Sequence, residues 1–211
     1  MFLINKNLNF FTNNRLYLST LGPKGTSSEY VAKKFLSQLD IMDKKVILHS
    51  SFEKAYESVQ KNTSDAVLVA NAYSNIDMFY MDTSLELLAT NIESTPPYGI
   101  AVRKDFDISL IKKFNIIEIA SHKAPIKRLD CYINDKNSFF YKKQFKIEIC
   151  NSTSIAAKMV ATKRLDFCLT NEKAKDEFDL IFVSKKIKID MVWSIFSKEN
   201  ILPILLYNKI A

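Results

Sequence analysis

Apolar and polar positions in this chain follow two alternating rhythms. Short apolar runs of strand length and composition, LYLSTL, KVILHS and DAVLVANA, are separated by stretches in which apolar residues recur at helical spacing. The first such stretch predicts a helix over 26–36. The second, SFEKAYESVQ, places Phe52, Ala55, Tyr56 and Val59 on one helical face. A polar-aromatic loop, YSNIDMFYMD, and an apolar run, SLELLAT, then lead to TPPYGIAVRKD, where two prolines and Gly99 mark a crossover.

The pattern resumes with the strand IIEIASH, a helix over 126–132, the strand FKIEIC, and a helix from Thr153 that turns Ile155, Ala156, Met159 and Val160 inward. LDFCLTN and DLIFVSK read as strands around the short helix EKAKDEF, and DMVWSIFSK closes the series as another strand. Strands alternating with helices predict an α/β fold. The order suits two lobes, one of about 16–98 plus 185–211 and one of about 99–184, with the last strand returning to the first lobe. The opening fifteen residues read equally as an extension or as an added edge strand.

Composition narrows the class. With 47% hydrophobic and 25% charged residues in 211 positions, the chain has the balance of a folded, water-soluble protein. Asparagine and lysine interrupt the apolar start, so no signal peptide is read, and no run reaches membrane-spanning length. The expected location is cytoplasmic, with no membrane partner. Cys131, Cys150 and Cys168 form no CxxC pair and read as buried reduced thiols. Two histidines, His49 and His122, are too few for a convincing metal site, and none is expected.

The net charge of +7 raises nucleic acid as a partner. The lysines are spread over every segment, however, and only Arg15, Arg103, Arg128 and Arg164 are available for bidentate contacts. No nucleic-acid partner is expected, and a positive field suits a small acidic substrate equally well.

Two helix starts carry the candidate chemistry. GPKGTSSEY holds two of the three glycines in the chain and leads into the first helix through Gly25, Thr26, Ser27 and Ser28. NSTSIAAKMV opens a later helix with Asn151, Ser152, Thr153 and Ser154. Both follow strand ends, where open α/β sheets bind ligands, and helix N-termini attract anions through unpaired N–H groups. Together they suit a small molecule with two carboxylates.

LGPKGTSSEYVAKKF resembles the opening of prephenate dehydratases, and SHKAPI, NSTSIAAKMV and LTNEKAKDEF follow in the order of their later motifs. The chain departs from that family where dehydratases carry Thr-Arg-Phe on the final strand, reading Ser194-Ile195-Phe196 instead. TLGPKGTSSEY, AYSNIDMFYM, TPPYGIAVRKDF, SHKAPI, NSTSIAA, LTNEKA and MVWSIF together are similar to the non-aromatising prephenate decarboxylases of bacilysin-type antibiotic synthesis, across roughly residues 16–200.

The resemblance implies a two-lobed fold like the type II periplasmic binding proteins, with the ligand cleft between the lobes. It also implies one catalytic domain without a phenylalanine-sensing ACT domain, prephenate as substrate, no cofactor, and a homodimer. The reaction would remove CO2 from prephenate and leave a dihydro-4-hydroxyphenylpyruvate.

His122, Tyr73, Tyr98 and Ser194 are the expected catalytic groups, with Tyr80 a further phenol in the same segments. Gly25, Thr26, Ser27, Ser28, Ser121, Arg103, Asn151, Ser152, Thr153, Ser154 and Asn171 are the expected substrate contacts. Trp193 and Phe196 are candidates to wall the substrate ring. A dehydratase lacking its regulatory domain and a non-catalytic aromatic-acid binding module are the rival readings.

Overall fold

A computed structural model of the chain describes residues 3–4 and 15–198, with side chains from residue 15 onward. The chain divides into two compact units, one of residues 1–23, 28–94 and 190–211, the other of residues 24–27 and 95–189.

The first unit is built on β1 (Leu3–Ile4), β2 (Arg15–Leu21), β3 (Asp43–His49), β4 (Ala66–Ala70), β5 (Glu86–Ser94) and the final strand β11 (Asp190–Ser197). These form one mixed sheet in the order β1-β5-β11-β4-β2-β3. β2 runs parallel to β3 and β4, while β11 is antiparallel to β4 and β5. Leu3 and Ile4 of the opening stretch pair with β5 as a short edge strand. Residues 5–14 lie outside the described residues.

Helices α1 (Ser27–Ser37), α2 (Phe52–Gln60) and α3 (Asp77–Tyr80) complete this unit, apart from Ser27 itself. One side of the sheet packs Leu18, Leu68 and Trp193 against Val31 and Phe35 of α1. The other packs Val67, Val69 and Phe196 against Phe52 and Val59 of α2 and Phe79 of α3. Burial on both faces explains why β2 and β4 read as continuous apolar runs rather than alternating ones. Trp193 and Phe196 are each 1% exposed and belong to this core, where Trp193 Nε1 donates to the Glu93 carbonyl at 3.3 Å. They do not form an accessible ring wall.

The second unit holds β6 (Tyr98–Arg103), β7 (Ile116–His122), β8 (Gln144–Cys150), β9 (Phe167–Asn171) and β10 (Leu180–Phe182), in the order β10-β6-β9-β7-β8. β7 is parallel to β8 and β9, and β6 is antiparallel to β9 and β10. One face of the sheet meets α5 (Thr153–Ala161) and α6 (Glu172–Glu177) through Ala101, Ala120, Cys168, Ala156, Ala157 and Ala174. These small side chains let the helices approach closely. Cys150 and Cys168 are buried there as free thiols, with their pKa raised by burial. Larger residues, including Ile100, Tyr132, Phe140 and Phe167, fill the opposite face.

Three segments differ from the expected pattern, the first being the expected loop 73–82, in which Asp77–Tyr80 forms the one-turn helix α3. The stretch 126–132 is a 3-10 turn, Ile126–Leu129, running into one turn of helix, α4 (Asp130–Ile133). Its apolar residues Ile126, Leu129 and Tyr132 recur every third position, the period of a 3-10 turn rather than of an α-helix. Gly99 lies inside β6 instead of at a crossover. A β-carbon there would stand 2.7 Å from Phe182 Cδ1, so the glycine makes room for the neighbouring strand β10.

Candidate active site

The strand registers of the second unit gather its polar residues along one edge. His122 pairs with Cys150, Ser121 pairs with Leu169, and Tyr98 pairs with Asn171. The carboxyl ends of the parallel strands β7, β8 and β9 therefore share a rim with the first residue of β6. Such an edge is where ligands bind in open α/β sheets.

Helix α5 starts at this rim. Ser152 caps it, its hydroxyl accepting from the Ile155 N–H at 3.1 Å, and Asn151 is exposed just before the cap. The first-turn N–H groups of a helix have no acceptor within the helix, and their dipoles leave partial positive charge there. Ser154 stands in that first turn, is 1% exposed, and its Oγ has no hydrogen-bond partner among the described residues. A buried hydroxyl left unpaired costs stability unless a water or a ligand completes it.

The glycine turn reaches the same place. Gly25 has φ +84°, a left-handed conformation suited to glycine, and a β-carbon on it would lie 3.2 Å from Ser154 Oγ. Its hydrogen atom is what allows the backbone to approach. Thr26, next in sequence, is 5% exposed.

Asn171 ties the rim together. Its Oδ1 caps α6 by accepting from the Ala174 N–H at 2.9 Å. Its Nδ2 reaches Thr153 Oγ1 at 3.3 Å and Ser27 Oγ at 3.5 Å, and Ser27 Oγ lies 3.0 Å from the Tyr98 hydroxyl. Thr170 Oγ1 donates to the Thr153 carbonyl at 2.9 Å. Burial raises the pKa of Tyr98, so the phenol stays protonated at neutral pH.

His122 Nδ1 accepts from the Ala124 N–H at 3.3 Å, which puts the proton of the neutral ring on Nε2. Burial lowers its pKa. Burial, followed by the charge of Lys54, lowers that of His49 in the first unit. The unfolded chain thus binds more protons than the folded one between the depressed values and about 6.5, and the stabilisation from neutral imidazoles is lost as pH falls through that window. NMR titration is expected to give both imidazoles midpoints below about 6.5; a midpoint at or above that value for His122 would contradict its buried, neutral state. Ser121, fully buried, donates to the His122 carbonyl at 2.9 Å.

The structure does not bring Arg103 to this rim. Arg103 is at the far end of β6 from Tyr98, five residues along and so roughly 17 Å away. Its guanidinium bonds Asp166 at 2.9 Å and the carbonyls of Val160 and Leu165 at 3.3 Å, beside the opposite end of α5. It serves as an anchor for that helix end rather than as a contact for a carboxylate substrate at the rim.

The remaining candidates belong to the first unit. Ser28 is buried in the first turn of α1. Tyr73 donates to the Glu53 carboxylate, and burial together with that bond pushes the phenol up to about 12. A phenol so held is a poor proton donor. Ser194 is fully buried; its hydroxyl donates to Asn71 Oδ1 at 2.8 Å and lies 2.9 Å from the Tyr80 hydroxyl. Asn71 was not among the expected residues.

The two-sheet α/β architecture is shared with proteins of several kinds. It overlays a tungstate ABC transporter structure from Geobacter sulfurreducens with TM-score 0.55 at 15% identity, covering 93% of this chain and 88% of that one. It overlays prephenate dehydratase from Arthrobacter aurescens with TM-score 0.67 at 15% identity, covering 89% of this chain and 62% of that chain. The sequence model of the prephenate dehydratase family matches residues 18–191. A Bacillus amyloliquefaciens protein named prephenate decarboxylase is 37% identical over 189 residues, 87% of each chain. The chain belongs to the prephenate dehydratase family.

Proposed function

We propose that this chain is a cofactor-independent carboxy-lyase that removes CO2 from prephenate and keeps the ring hydroxyl. The identity to a protein named prephenate decarboxylase supports the reaction. The observation that carries the site is the unpaired, buried Ser154 hydroxyl in the first turn of α5, against Gly25. A substrate carboxylate at that point would receive the α5 N–H groups and the Ser154 proton. Asn171, Ser27, Thr153 and Tyr98 form the polar wall beside it, and Ser121 and His122 end the neighbouring strand.

The chemistry needs no external electron sink. As the ring carboxylate leaves, its electron pair moves through one ring double bond and takes a proton at a ring carbon. The proton donor is best sought among Tyr98 and the His122 Nε2–H, since Tyr73 is held by Glu53. By the same reading the chain carries a catalytic domain that works as a homodimer in the cytoplasm and supplies an antibiotic or dihydrotyrosine-type synthesis.

Incubating the purified protein with prephenate at neutral pH and analysing products by ultraviolet absorbance and mass spectrometry tests the assignment. A non-aromatic keto acid with the ring oxygen retained is expected. Phenylpyruvate would make the protein a dehydratase, and unconsumed prephenate would make it a binding module.

A further inference from the structure

Charge is divided unequally between the two units. The second unit, residues 24–27 and 95–189, holds 20 lysines and arginines against 11 aspartates and glutamates, a formal +9. The first holds 10 against 12, a formal −2. The polar rim around Ser154 thus belongs to the unit that carries the positive charge.

Many cations of that unit are neutralised where they stand. Arg103 pairs with Asp166 at 2.9 Å, Lys146 with Glu118 at 2.7 Å, Arg164 with Glu148 at 2.6 Å and Lys185 with Asp135 at 2.8 Å. Beside the rim, Lys24 next to Gly25 pairs with Glu177 at 3.3 Å, and Lys186 pairs with Glu172, the neighbour of Asn171, at 2.7 Å.

The segment that follows β7 is different. It leaves the rim at His122 and carries Lys123, Lys127 and Arg128, all exposed and none with an ion pair or side-chain hydrogen bond among the described residues. Their exposure has a local cause. Ile126 and Leu129 take the inward positions of the 3-10 turn, and its period of three leaves Lys127 and Arg128 outside. Asp130 is the one acid between Glu118 and Asp135, so the segment keeps a surplus of positive charge.

The rim and this segment act over different ranges. Ser121, Thr153, Ser154 and Asn171 are uncharged, and their hydrogen bonds form only at contact. A full charge is felt across a Debye length, about 10 Å at 0.1 M salt.

We propose that Lys123, Lys127 and Arg128 form an electrostatic capture surface that draws a small dicarboxylate to the rim and raises its affinity there without touching the reacting atoms. Prephenate, the substrate proposed above and the one on which this role rests, carries two carboxylates, so each cation pulls on it twice as strongly as on a monocarboxylate.

Two variants that remove equal charge test the role. Lys123→Gln combined with Lys127→Gln acts beside the rim. Lys112→Gln combined with Lys113→Gln acts in the 3-10 turn Ile108–Lys113 that precedes β7, and the seven residues of β7 put that turn about 20 Å from the rim. All four lysines are exposed, so neither variant disturbs the core. The readout is kcat and KM for prephenate consumption at about 0.1 M and about 1 M salt, where the Debye length is about 10 Å and about 3 Å. At the lower salt the rim-side variant is expected to raise KM at least about threefold with kcat unchanged, and the distant variant to raise it less than about 1.5-fold. At the higher salt all three proteins should agree within about 1.5-fold. Equal KM values for the two variants at 0.1 M salt, or a rim-side loss that persists undiminished at 1 M, would overturn the capture surface and leave prephenate standing as the substrate. Wild-type protein that leaves prephenate unconsumed would overturn both.

Discussion

Asn171→Ala is expected to lower both the stability of the protein and its affinity for prephenate. The fully buried amide caps α6 and bonds Thr153 and Ser27. Losing an N-cap costs about 0.5–2 kcal/mol, and stranding a buried hydroxyl about 1–3 kcal/mol more. Because these groups touch one another, the costs do not simply add, and a loss of about 2–4 kcal/mol in denaturant unfolding is expected. Asn171→Asp separates stability from binding. The aspartate keeps the cap, and the Ser27 and Thr153 hydroxyls can turn to donate to it, so unfolding should change by less than about 1 kcal/mol. The added negative charge would repel a carboxylate at the α5 start, weakening prephenate binding at least about tenfold, or about 1.4 kcal/mol. Equal binding by the Asp variant and wild type in calorimetry would remove this rim from the substrate site.

Gly25 and Ser154 give a pair of opposite expectations. Gly25→Ala forces a side chain into the left-handed region and within 3.2 Å of Ser154 Oγ. The conformational cost alone is about 1–2 kcal/mol, and KM for prephenate is expected to rise at least about tenfold as the turn withdraws. Ser154→Ala removes an oxygen that has no partner among the described residues. The free protein should then be as stable as wild type or slightly more so, because an unsatisfied buried group has been deleted. Prephenate affinity should nevertheless fall severalfold. Loss of stability with unchanged affinity in Ser154→Ala would mean that the hydroxyl is a structural element and not part of a ligand cradle.

Much of the fold was legible because central strands such as β4 and β9 are buried along nearly their whole length. β2, β4, β7 and β9 stand out as apolar runs, and the serine-rich start of α5 is a local feature with a local cause, its Ser152 cap. β5 was less visible: Leu88 and Ala89, adjacent in sequence, are both buried, which obscures the two-residue period. The helix starts could be picked out from composition, but which hydroxyl is unpaired could not. Ser152 and Ser154 look alike in sequence, yet one caps the helix and the other has no partner among the described residues.

Side-chain roles that depend on distant partners were the least legible. Arg103 looked suited to a carboxylate substrate, whereas its carboxylate is Asp166, 63 positions away. Tyr73 looked like a proton donor, whereas its hydroxyl is already engaged as the hydrogen-bond donor to Glu53. The hydrogen-bonded cluster of Asn71, Tyr80 and Ser194 spans 123 positions and has no sequence signature, since it exists only through the register of β11 on β4.

The central claim is that carbon dioxide leaves prephenate while the ring oxygen stays. Prephenate carrying carbon-13 in the ring carboxylate and oxygen-18 in the ring hydroxyl tests it in one experiment. Labelled CO2 is expected in equal amount to a non-aromatic keto acid that keeps the oxygen-18. Labelled CO2 accompanied by oxygen-18 in water and by phenylpyruvate would contradict it.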